Sequence, residues 1–236
     1  MTRFFACSLV VVGASMLAGA LPAQASASRV EGPAPLTPTQ LQGTHRFALV
    51  IGVNDGGSER PRLRYAGSDA KALSKVLAEL GGVAVEDRLI LDDPDVDALR
   101  RGLASIAKKA RAARARDERV ELLFYYSGHS DETGLLIGEK RVSYRWLREK
   151  IDALPADVRI AILDSCASGA FTRLKGGKKR EPFLVREPSV KGHAFLTSTS
   201  ADEAAQESER IRGSFFTHYL VTGLRGAADI NQDHLV

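Results

Sequence analysis

Apolar residues follow two rhythms along this chain. Residues 46–53, 120–126, 158–163 and 192–199 are short, mostly apolar runs, each closed by a small or polar turn; residues 88–91 are a shorter run of the same kind. Runs that are apolar at nearly every position suit parallel strands buried on both faces. The first run breaks at Asn54-Asp55-Gly56-Gly57, a turn composition. Between the runs, apolar positions recur at helical spacing. Ala72, Leu73, Val76, Leu77 and Leu80 predict a helix over 69–80, with Ser68 as its cap and Gly81-Gly82 as its stop. Leu99, Leu103, Ile106 and Ala110 predict a second, opened by Asp93-Pro94. Residues 134–142 read as a small hairpin, Ser143 caps a helix packed through Leu147, Ile151 and Leu154 and ended by Pro155, and residues 214–224 form a last helix. The sum is an α/β domain: a mostly parallel sheet sheathed by helices on both faces.

Residues 1–27 fall outside this alternation. Arg3 supplies a basic start, residues 4–20 an apolar core, and Ala23-Gln24-Ala25 or Ala25-Ser26-Ala27 a cleavage site of small residues, so this segment reads as a signal peptide. The protein is therefore expected to be exported, either periplasmic or secreted. A membrane anchor fits less well, because the apolar core is short for a bilayer and no stop-transfer flank follows; after removal of the leader no integral membrane segment is expected. Residues 28–44, rich in Pro, Ser and Ala, read as a flexible linker. The remaining 45–236 are about 190 residues, enough for one domain with a sizeable core. Of the two cysteines Cys7 lies in the leader, so Cys166 is the one left in the mature chain and no intramolecular disulfide is expected.

The net charge of +4 is concentrated in two places. The basic residues of 100–119 fall largely opposite the apolar helix face and read as a solvated surface; no recognition fold accompanies them, and no nucleic-acid partner is expected. Residues 173–191, punctuated by Gly176, Gly177, Pro182 and Pro188, read as an exposed basic loop.

Two of the apolar runs end in chemistry. LLFYYSGHS at 122–130 delivers His129, and RIAILDSCASG at 159–169 delivers Cys166. Neighbouring parallel strands would bring both to their carboxyl ends, where open α/β sheets place their sites. A thiol beside an imidazole is a nucleophile with its base.

These motifs, with RFALVIGVN, YAGSDAKAL, FLTSTSADEAAQE and SFFTHYLVTGLRGAADINQD, resemble the caspase-like cysteine peptidases, above all their bacterial and metacaspase-type members, over residues 46–233. The resemblance implies a caspase-hemoglobinase fold, three-layer α/β/α with a six-stranded sheet, and hydrolysis of polypeptide substrates through His129 and Cys166. By family analogy the backbone N–H groups of Cys166 and Gly128 form the oxyanion hole. Asp164, two residues before the nucleophile, corresponds to an acidic residue that lines the pocket for a P1 Arg or Lys in relatives, and Asp202 falls in the segment that resembles the opposite wall. Arg173, Lys175, Lys178, Lys179, Arg180, Arg186 and Lys191 occupy the loop at which many relatives process themselves. The relatives usually follow the histidine with glycine, where this chain has Ser130. Asp229, Asn231 and Asp233 have the spacing that opens a calcium loop, but the sequence stops at Val236, before a closing glutamate, so no metal site is expected. No cofactor is expected to be required, calcium activation being the alternative, and the domain is expected either to be a fragment truncated at its C-terminus or to lack the final strand of its relatives. The competing readings are a catalytically silent caspase-like binding or scaffolding domain and a cysteine hydrolase of non-peptide acyl groups. Oligomeric state is not legible.

Overall fold

The computed structural model describes residues 43–166, 171, 192–198 and 206–233. The leader, the linker through residue 42, Asp202 and all seven basic residues proposed for processing lie outside the described residues. In chain order the elements are β1 (Thr44–Gly52), α1 (Ala66–Glu79), β2 (Arg88–Asp92), α2 (Val96–Arg114), β3 (Arg119–Ser127), the hairpin strands β4 (Gly134–Ile137) and β5 (Lys140–Ser143), α3 (Tyr144–Asp152), β6 (Val158–Asp164), β7 (Gly192–Thr197), the two-residue strands β8 (Glu207–Ser208) and β9 (Gly213–Ser214), and α4 (Phe215–Thr222).

The main sheet has five strands among the described residues, in the order β2-β1-β3-β6-β7, and every neighbouring pair is parallel. Successive residues of β1 alternate between its faces, as the pleat requires. Phe47, Leu49 and Ile51 pack with Leu99, Leu103 and Ile106 of α2 and Leu147 and Ile151 of α3, whereas Ala48 and Val50 pack with Ala70, Leu73 and Leu77 of α1 and are joined by Phe216 and Leu220 of α4. The result is the three-layer α/β/α architecture expected. Burying one such side chain contributes about 2 kcal/mol, against a few tenths for most differences in helix propensity, so the two apolar faces decide where the helices lie. No helix among the described residues is long and apolar enough to cross a membrane.

Helix starts depart from the sequence reading. α1 begins three residues before the expected Asp69, and Ser68 is not its cap: the Ser68 hydroxyl donates to Tyr65 O at 2.8 Å. The N–H of Ala66 instead donates to Asn54 Oδ1 at 3.1 Å, and those of Arg64 and Tyr65 donate to the Glu207 carboxylate, each at 3.0 Å. Ala72 and Leu80, read as buried, are exposed. α2 is capped by Asp95, whose carboxylate accepts from Ala98 N–H at 2.6 Å. Asp93 turns to the loop after β1, accepting from Asn54 N–H at 2.6 Å and Arg62 Nη2 at 2.5 Å. Ser143 caps α3 as expected.

Sheet order sets the site's address. β1 continues through α1 to β2 on one side, while β3 continues to β6 on the other, so the order reverses between β1 and β3. Ligands of open α/β sheets bind at the carboxyl end of such a switch point. Here the loop after β1 and the turn after β3 flank it.

Candidate active site

Register brings the two motif turns level. β3 and β6 pair up to Ser127 opposite Asp164. His129 lies two residues beyond Ser127, and Cys166 two residues beyond Asp164. Neighbouring strands run about 4.8 Å apart, so the two turns leave adjacent strands at the same height. They are also tied together: Gly128 N–H donates to Asp164 O at 3.1 Å, and the Ser130 hydroxyl donates to Cys166 O.

The histidine turn is held from three sides. The hydroxyl of buried Tyr126 lies 2.8 Å from both His129 O and Leu136 O and shares its one proton between them, and Leu136 N–H donates to His129 O at 2.9 Å, fixing the turn to β4. A Cβ on Gly128 would stand 2.6 Å from Tyr126 Oη and 2.9 Å from Val53 O, so only glycine lets the chain pass there. The loop after β1 closes the third side. A Cβ on Gly56 would stand 2.3 Å from His129 Cδ2, so the backbone of Gly56 lies directly against the ring.

That same loop supplies the imidazole's hydrogen bond. His129 Nε2 lies 2.8 Å from Pro61 O. A carbonyl oxygen can only accept, so Nε2 carries the proton and the lone pair of the neutral ring sits on Nδ1. Cys166 is half-buried and is a thiol rather than half of a disulfide; its turn is anchored by Ser165 N–H donating to Ser198 Oγ at 3.0 Å, just past the end of β7.

Behind the two turns sits a buried acidic pair. Asp164 is 3% exposed and Asp69, in the first turn of α1, is 4% exposed. Ser214 bridges them: its N–H donates to Asp69 Oδ1 and Oδ2 at 3.2 and 3.1 Å, while its hydroxyl donates to Asp164 Oδ2. Thr217 Oγ1 adds a second bond to Asp164 Oδ2 at 2.7 Å, leaving Asp164 Oδ1 buried and without a hydrogen-bond partner among the described residues. Burial pushes the Asp164 carboxyl above its usual range against the lowering effect of Ser214 and Thr217. Burial, and after it the charges of Asp164 and Glu207, raise Asp69 to about 7, with the Ser214 N–H opposing. A pair of this kind is short of a counter-charge.

The structure thus brings His129, Cys166, Gly128 and Asp164 to one end of the sheet. Pro61, Gly56 and Asp69 were missed by the sequence reading. Asp69 stood in the helix-start motif YAGSDAKAL as the first residue of the expected helix, Gly56 as part of a turn, and Pro61 contributes only its carbonyl. Among the described residues no three or more His, Cys, Asp or Glu side chains are grouped to hold a metal ion.

A family model described as the caspase domain matches residues 45–235. Metacaspase-1 of Coccidioides immitis is 31% identical, with 66% of this chain and 38% of that protein covered. Metacaspase-1B of Neurospora crassa is 28% identical, with 75% and 47% covered. The chain spans less than half the length of either relative. Caspase-1 from Spodoptera frugiperda, a solved structure, superposes with a TM-score of 0.53 at 16% identity over 77% of this chain and 71% of that one, a likeness of fold.

Proposed function

The chain belongs to the caspase-domain family, and from that premise we propose that it is a cysteine endopeptidase in which His129 and Cys166 cut polypeptides after arginine or lysine. The observation that carries this reading is the Pro61 bond to His129 Nε2, which leaves Nδ1 as the basic nitrogen on a turn level with Cys166. In the proposed reaction Nδ1 takes the thiol proton and Cys166 Sγ bonds to the scissile carbonyl carbon. The C–N bond then breaks as the imidazolium returns the proton to the leaving amine. Water, deprotonated by the same imidazole, hydrolyses the thioester. The N–H groups of Cys166 and Gly128 are the proposed oxyanion donors; for Gly128 that role means exchanging Asp164 O for the oxyanion.

Specificity rests on the acidic pair. A guanidinium or ammonium at P1 would supply the charge that Asp69 and Asp164 lack, and Asp164 Oδ1 is an acceptor still to be satisfied. An aspartate at P1 would add a third carboxylate to the same region. Asp202 is proposed, from the resemblance alone, as the opposite wall. Self-processing between Arg173 and Lys191, no required cofactor, and export directed by residues 1–27 complete the proposal.

Fluorogenic peptides differing only at P1, assayed with and without calcium, test it. Cleavage after Arg and Lys should fall below a few percent of wild type in both C166A and H129A while far-UV circular dichroism is kept. Preference for Asp at P1 would overturn the specificity, and retained activity in C166A the dyad. An iodoacetamide label that enters Cys166 no faster than an unfolded thiol would favour the silent-domain reading. Intact mass of wild type against C166A reads self-processing directly.

A further inference from the structure

The basic stripe of α2 is not used by the chemistry above. Part of it borders a groove of about 500 Å³ between α2 and α3. Its floor is apolar, with Leu103 and half-buried Ala107 from α2 and half-buried Trp146 from α3. Its rim is cationic: Arg100 and Arg111 from α2 and Lys150 from α3, all exposed. Arg100 and Lys150 both approach Trp146, with Cζ 5.7 Å and Nζ 5.8 Å from the ring centroid. Arg100 has a carboxylate partner, Asp97 at 3.0 Å. Among the described residues neither Arg111 nor Lys150 has one.

From this we propose that the groove is a docking site for an acidic amphipathic helix of a partner or substrate protein. Arg100 and Arg111 stand eleven positions apart on α2, a rise of about 16 Å, which matches about three turns of a helix lying alongside. A groove between two helices with an apolar floor accepts an apolar stripe at i, i+3, i+4 and i+7 spacing. Cations at both ends and on the far wall select glutamates and aspartates on the flanks of that stripe, and repel a basic helix of the same shape. The apolar floor distinguishes this surface from the merely solvated face that the sequence pattern predicts. The proposal does not rest on the peptidase reading, since docking requires neither His129 nor Cys166.

Trp146 is the single tryptophan of the chain, so tryptophan emission, excited selectively over the tyrosines, reports on the groove alone. Full-length C166A, which cannot degrade its ligand by the proposed dyad, is titrated with a three-turn peptide of leucines at helical spacing and glutamates elsewhere. The same peptide with lysine for every glutamate is the control. The expected result is a saturable change in Trp146 emission with the acidic peptide, none with the basic one, and about tenfold weaker binding in R111E/K150E. A104E, at an exposed position on the groove edge, should weaken binding too, and serves if the double variant misfolds. No saturable change, equal binding of the basic peptide, or binding indifferent to these substitutions would overturn the proposal. A Trp146 response to phosphatidylglycerol vesicles but not to the peptide would overturn it in favour of a lipid surface.

Discussion

The hydroxyl of Ser130 donates to the carbonyl oxygen of Cys166, so the turn that bears the histidine holds the turn that bears the cysteine. Ser130 is itself buried, and its backbone stands opposite Leu135 of β4 in an isolated antiparallel bridge. Glycine at this place could not make the hydroxyl bond. S130G and S130A should each lower kcat by up to about tenfold, the scale of one net hydrogen bond, with KM little changed, and S130T should restore part of the loss. A KM effect with unchanged kcat would show that the bond shapes the peptide cleft instead of the cysteine turn.

The contact between Gly56 and the imidazole predicts a second, larger effect. G56A puts a methyl group inside van der Waals distance of His129 and must move either the ring or the loop that carries Pro61. A displacement of about 1 Å at a reacting group costs on the order of a hundredfold in rate. The variant should fold, show the wild-type thermal midpoint within a few degrees, and lose kcat on that scale; wild-type kcat would exclude the ring orientation described above as the working one.

Asp69 gives the stability a pH dependence of definite sign. Its folded pKa of about 7 exceeds the ordinary carboxyl value of 3.8, so between these limits the folded state keeps a proton that the unfolded chain has released. Its contribution is therefore most favourable below pH 4, declines as pH rises to 7, and is constant above that. At 1.36 kcal/mol per unit the full decline is about 4 kcal/mol. D69N removes it, so the melting temperature of D69N relative to wild type should rise steadily from about pH 4 to pH 7. A difference that does not vary with pH would mean that Asp69 is ionised throughout.

The same carboxyl links pH to substrate binding in the opposite direction. In the proposed P1 site a cationic side chain would bind the ionised acidic pair better than the protonated one, so KM for an arginine substrate should fall as pH rises through about 7. D69N should raise KM and flatten this dependence, with less effect on kcat. Peptides with an uncharged P1 residue should show neither change.

Far from the site, Asp157 serves the frame. It is 6% exposed, accepts from Arg114 Nη1 at 2.8 Å and Val120 N–H at 3.0 Å, and so joins the end of α2 to the start of β3. Arg114 is partly exposed, so solvent screens the charge term and the buried amide dominates. D157A should cost about 2 kcal/mol in urea unfolding and leave kcat and KM for the proposed cleavage unchanged in the folded protein.

What was legible in the sequence divides along the range of the interactions. Strands such as residues 46–53 could be read because a run buried on both faces is apolar at nearly every position, whatever surrounds it. His129 and Cys166 could be read because each follows such a run directly. The start of α1 could not, since its N–H group is capped by Asn54, twelve residues away in another loop, and Ser68 is the better local candidate. Asp69 was hidden by the same rule: an acid in the first turn of a helix is ordinarily a surface residue complementing the dipole, and its burial depends on Ser214, far along the chain. Gly56 owes its importance to a ring that arrives from β3.

The acceptor for His129 at Pro61 belongs to the peptide backbone and not to a side chain. An alanine scan would leave that oxygen in place and report position 61 as dispensable. Residue identity there is free to vary so long as the route of the chain is kept, and the vulnerable quantity is length. Removing or adding one residue between Asn54 and Pro61 shifts the oxygen by up to about 3.5 Å, more than a hydrogen bond can stretch, and would unseat the imidazole while every named side chain of the site stayed intact.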